Sequence, residues 1–154
     1  MNWQEFEVAA SELADPWKEQ LDDPGVALIG TIRKDGSPRI SSIDPCLLDG
    51  QLYLGMMWRS MKALDLLHDP RTVLRSPICT SNGDEQELTL RGRAVEVKDP
   101  EERRRYISVR TSWREPYLHL FALDIESAAL IKYGGGQQSA LLWPQKRSFT
   151  RPYG

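Results

Sequence analysis

The spacing of apolar and polar positions changes period several times along the chain. Residues 2 to 22 carry Val8, Leu13, Trp17 and Leu21 at roughly helical spacing, the stripe a helix lays against a core. Asp15-Pro16 has the form of an N-cap followed by proline in the first helical position, which predicts two short helices with a break near Ala14 and Asp15. Asp23-Pro24-Gly25 stops the pattern. Val26, Leu28, Gly30 and Ile32 then alternate with Ala27, Ile29, Thr31 and Arg33 without a long polar face, as in a strand buried along most of its length. Lys34-Asp35-Gly36 and Asp49-Gly50 supply the positive φ angles of tight hairpin turns. They bracket a second strand, 38–48, which Pro45 interrupts with a bulge or an edge, and the second turn leads into a third strand, 51–57.

After Trp58 the period is helical again, with Met61, Leu64 and Leu67 on one side, Ser60 as N-cap and Asp69-Pro70 as the end. Residues 72–78 read as a strand, 81–84 as a loop, and 87–98 as a long strand with Leu88, Leu90, Gly92 and Ala94 on one face. Asp99-Pro100-Glu101-Glu102 opens another helix. Strands 121–133 and 138–145, hinged by Gly134-Gly135-Gly136, precede a polar tail, 146–154. About six to seven antiparallel strands with flanking helices make an α+β chain, mainly β, and a closed or nearly closed barrel would satisfy their edges.

Composition narrows the function. A chain of 154 residues suits one domain, 1–154, that buries enough surface to need no disulfide or structural metal. Twenty basic against 22 acidic residues give a net charge of −2, which excludes a global field for nucleic acid. Arg103-Arg104-Arg105 with Arg110 and Arg114 is flanked by Glu101, Glu102 and Glu115 and reads as a solvated face. No apolar run approaches the roughly 18–20 residues of a membrane span, and the N-terminus is acidic and amphipathic, unlike a signal peptide. Cys46 and Cys79 lack ligand spacing, and a cytoplasmic protein with reduced thiols is expected. Two histidines are too few for a histidine metal cluster, and His68 lies where a helix end favours a cation. Trp113 and Tyr117 suit either core or interface.

The informative stretch is Met56-Met57-Trp58-Arg59-Ser60-Met61-Lys62, where a strand runs straight into a helix. Free N–H groups and the positive end of the helix dipole make such a start an anion site. Arg59, Ser60 and Lys62 add a guanidinium, a hydroxyl and an ammonium suited to a phosphate dianion. The plain alternative is a helix capped by Ser60 with both cations in solvent.

The order strand, Lys-Asp-Gly turn, strand, Asp-Gly turn, strand, followed by Arg59-Ser60-x-Lys62-Ala63-Leu64-Asp65-Leu66-Leu67-His68-Asp69-Pro70-Arg71, resembles the pyridoxamine 5'-phosphate oxidase-like superfamily of flavin-binding split barrels. The likeness is clear over residues 24–97 and looser beyond. It implies a homodimer holding flavin mononucleotide (FMN), or in some branches a deazaflavin such as coenzyme F-420, in a cleft between subunits. It implies that Arg59, Ser60 and Lys62 contact the cofactor phosphate. Arg39, Ile40, Ser41 and Ser42, with Met56 and Met57, would lie along the ring or ribityl chain, Trp58 would join the cofactor-binding set, and Trp143 would lie near the cofactor of the other subunit. Ser41 and Ser42 either meet a polar ring edge or face water, and Trp143 serves the cofactor or the core. Met56-Met57-Trp58 and Asp44-Pro45-Cys46 depart from the better-known members. Arg147 and Arg151-Pro152-Tyr153 do not reproduce the Arg-x-His signature of a vitamin B6 oxidase. The implied activity is a flavin- or deazaflavin-dependent oxidoreductase acting on a small molecule, with no side chain singled out as catalytic. A flavin-binding protein without turnover, and a split barrel that is cofactor-free or binds haem, are the alternatives.

Overall fold

The computed structural model describes residues 1–153. Its helices are α1 (Trp3–Ala9), α2 (Ser11–Asp22), α3 (Met61–His68) and α4 (Pro100–Val109). Its strands are β1 (Ala27–Ile32), β2 (Pro38–Ile43), β3 (Cys46–Leu48), β4 (Gln51–Met57), β5 (Arg71–Arg75), β6 (Glu87–Glu96), β7 (Leu118–Gly134), β8 (Gln137–Trp143) and β9 (Arg147–Pro152). Hydrogen bonds join them in the order β2-β1-β5-β6-β7-β4-β3, with β8 and β9 branching from β7, and every pair is antiparallel.

The two ends of this path explain the shape. β2 and β3 are its first and last strands, yet only Asp44 and Pro45 separate them. Three residue steps span at most about 11 Å, so the sheet curls until its ends meet. β2 pairs with β1 alone, which leaves the seam beside β4 without a ladder: a split barrel, α+β and mainly β. Pro45 lies in the link between strands, where its missing N–H removes no ladder bond. Both predicted hairpin turns are present, with Gly36 at φ 86° and Asp49-Gly50 at 50° and 74°.

Four expectations are corrected. The N-terminal helices break at Ala10, not near Asp15, because the turn there brings Trp3, Phe6, Leu13 and Trp17 into one cluster. Pro16 lies inside α2, where the carbonyl it leaves free belongs to exposed Glu12 and can bond water. The predicted second strand is two strands that belong to opposite ends of the sheet. The tail contains β9, exposed along its whole length and held by backbone pairing to β8; a strand wetted on both faces carries no hydrophobic period. Finally, α3 buries Ala63, Asp65 and Leu66, while Met61, Leu64 and Leu67 stay exposed.

Inside the barrel, Ile29, Leu52, Leu54, Leu74, Leu90 and Phe121 pack with Phe6 and Trp17. α1 is tied to the start of β4 by Gln4 N donating to Gly50 O at 3.0 Å, whereas α3 follows the strand's other end. A second cluster of Cys46, Tyr53, Val97, Tyr106, Leu118 and Leu120 lies between α4 and the outer face of β4. Among the described residues no helix is long and apolar enough to cross a membrane.

Candidate functional site

β4 hands over to α3 through a tight link. Trp58 N donates to Tyr117 O at 3.3 Å, Ser60 N to Met57 O at 3.0 Å, and Leu64 N to Ser60 O at 3.0 Å. Arg59 turns the chain with φ 58°. Ser60 occupies the N-cap position of α3 but its side chain caps nothing. Its Oγ is buried and has no hydrogen-bond partner among the described residues. A buried hydroxyl without a partner costs about 1–3 kcal/mol. The Arg59 side chain is exposed beside it, and Lys62 Nζ donates to Ser42 O at 2.8 Å, tying α3 to β2 across the seam.

β2 contributes two faces. Ile40 and Ser42 point outward, Ile40 with 74% of its surface exposed, and the strand's outer edge has no neighbour in the sheet. Arg39 and Ser41 are half-buried on the other face. Arg39 Nε donates to Asp65 Oδ2 at 2.7 Å, and Thr31 Oγ1 donates to the same oxygen at 2.8 Å. A cavity of about 490 Å³ opens beside this triad, between the β1–β2 turn and α3, lined by Arg33, Lys34, Arg39, Met61, Asp65 and His68. A cavity of about 500 Å³ between α2 and β3 offers less chemistry. Its cations are paired, Lys18 with Glu7 and Arg110 with Asp44, and burial raises the pKa of its Cys46 thiol, which disfavours the reactive thiolate.

The structure joins β2 to α3 through Lys62–Ser42 and Arg39–Asp65, with Met57, Arg59 and Ser60 in the β4–α3 link and Ser41 half-buried on β2. Ile40 points outward from β2, and Trp58 packs toward β7. Met56 instead points into the barrel core, and Trp143 packs against Phe6 with ring centroids 5.3 Å apart. Sequence reasoning missed Asp65 and His119. Asp65 was hidden among the apolar residues of α3. His119 belongs to the start of β7, where it pairs with Met56 and where a strand beginning at 121 was expected. Its ring stacks under Trp58 with centroids 4.4 Å apart and planes at 11°. His119 is 6% exposed, and its Nε2 has no partner among the described residues. Burial holds its pKa below the ordinary imidazole value; Glu96 opposes this and Arg103 adds to it.

No protein-family model and no curated protein matches the sequence. Among solved structures, the fold of this chain is that of the pyridoxamine 5'-phosphate oxidase-like split barrels. The chain is similar to a NimC/NimA family protein from Clostridium acetobutylicum (TM-score 0.68, 14% identity, 96% of this chain and 98% of that one). It is similar to a heme binding protein from Mycobacterium smegmatis (TM-score 0.65, 18% identity), with 94% of this chain covered but only 57% of that one. A candidate pyridoxamine 5'-phosphate oxidase from Listeria innocua aligns with 75% of this chain and 95% of its own (TM-score 0.61, 16% identity). At these identities the likeness is one of fold.

Proposed function

We propose that the chain, as one domain, binds FMN or a deazaflavin at the β2–β4–α3 junction, in a cleft completed by a second copy, and acts as an oxidoreductase on a small conjugated acceptor. The observation that carries this is the buried, unpartnered Ser60 hydroxyl at the start of α3. A phosphate there receives a hydrogen bond from Ser60 Oγ and charge from Arg59, Lys62 and the helix end, with the Arg39 guanidinium, oriented by Asp65, as a further donor. The unpaired edge of β2 offers backbone donors and acceptors to the polar rim of a flat ring, and the short side chains of Ser41 and Ser42 leave it room. When bound, the flavin supplies the hydride and electron chemistry; the chain's own part is to anchor, orient and shield it. The outward Ile40, Met57, Met61 and Leu67 are exposed apolar side chains that a two-fold partner would cover. Haem has less support, since His119 lies beneath Trp58.

Titration of apo-protein with FMN tests the reading. Ser60→Ala and Lys62→Ala should each weaken binding by about 1.5–3 kcal/mol, the scale of a hydrogen bond to a charged group. Riboflavin, which lacks the phosphate, should be insensitive to both. Because Ser60 Oγ is unsatisfied in the free chain, Ser60→Ala should leave apo-protein no less stable. Wild-type protein that ignores FMN and deazaflavin alike would refute the proposal.

A further inference from the structure

We propose that Trp58, held flat by the buried imidazole of His119, is a stacking platform for a planar conjugated ring; this rests on the anion site assigned above to Ser60 and Lys62. Trp58 remains 52% exposed although one ring face is covered by His119, so the stacked indole still presents free surface. His119 is in turn fixed by the β4–β7 ladder and by Phe121, whose ring centroid is 6.4 Å away at 23°. The indole is thus pre-ordered, and a ring arriving on it meets a rigid surface with little side-chain entropy left to lose. Tyr117, whose carbonyl accepts from Trp58 N at 3.3 Å, is itself exposed, an aromatic next to the link that favours ring contacts. Ser60 lies two residues on, so a ligand with an anionic tail and a flat ring meets both features. The ring is either that of the phosphate-bearing cofactor or that of a second reactant.

Three probes separate these sources: FMN, ribose 5-phosphate (anchor without ring) and menadione (ring without anchor), each titrated against wild type, Trp58→Leu, His119→Ala and His119→Phe. One stacked ring is worth about 1–3 kcal/mol, or about 5- to 150-fold in affinity. Trp58→Leu and His119→Ala should therefore weaken FMN at least about fivefold if the platform takes the cofactor ring, or menadione by as much if it takes the second reactant. Ribose 5-phosphate should be unchanged in both variants, and His119→Phe, which preserves a flat ring beneath Trp58, should restore the lost affinity. Ring probes within twofold of wild type in every variant would overturn the platform, as expected if a partner subunit covers Trp58. An equal loss for ribose 5-phosphate would also overturn it, since Trp58 would then only shape the Arg59–Ser60 link. If wild type binds neither FMN nor ribose 5-phosphate, the anion-site reading falls, and menadione on the unloaded chain still decides the platform.

Discussion

Removing the Asp65 carboxylate is the sharpest test of how the candidate site is held. Asp65 has a side-chain exposure of 6% and its partner Arg39 one of 21%, and the same Oδ2 accepts from Arg39 Nε and Thr31 Oγ1. Asp65→Ala strands a guanidinium and a hydroxyl together. Breaking a buried pair by deleting one partner costs about 3–5 kcal/mol; Arg39 retains some access to water, which points to the lower end, about 3 kcal/mol. With a urea m-value of about 2 kcal/mol/M, the unfolding midpoint of apo-protein should fall by about 1.5 M. The double variant Arg39→Met/Asp65→Leu removes both charges and should recover most of this loss, because a buried pair replaced by apolar groups of similar size is often near neutral. Thr31→Val should cost about 1 kcal/mol. A loss below about 1 kcal/mol for Asp65→Ala, or a double variant as unstable as the single, would show that the triad does not secure α3 against β2.

Three further outcomes follow from particular contacts. His119 has a folded-state pKa below its unfolded value of about 6.5, so between those two values the unfolded chain binds more protons and stability rises with pH. Chemical denaturation from pH 7.5 down to 5.5 should show a steeper loss in wild type than in His119→Gln, and parallel curves would contradict burial of the neutral imidazole. At Gly92 a Cβ would lie 2.0 Å from Asp124 O, opposite the β6–β7 bulge, and backbone cannot step aside as a side chain can. Gly92→Ala should thus cost at least about 3 kcal/mol, and a wild-type melting temperature would refute the close approach. Sedimentation equilibrium at micromolar concentration should give twice the mass of one chain; a monomer that still binds FMN would sink the shared cleft.

Local chemistry in the sequence determined most of the elements. The two Asp-Gly turns, the alternation in β1 and β6 and the Asp99-Pro100 start of α4 act within a few residues, and each appears where its pattern predicts. The strand-to-helix junction at Met57–Lys62 was legible for the same reason. What tertiary structure decided depends on partners far along the chain. Whether β2 and β3 were one strand or two turned on pairing with β1 and β4 at opposite ends of a curling sheet. β9 forms because β8 offers it a backbone edge, a force that leaves no hydrophobic period. α3 buries Ala63 and Leu66 in the barrel core and Asp65 against Arg39 and Thr31, partners on β1 and β2 that the helix's own spacing does not reveal. His119 became part of the site only when the β4–β7 ladder carried it beneath Trp58, sixty-one positions away in the chain; such a stack depends on register between distant strands, which no local spacing records.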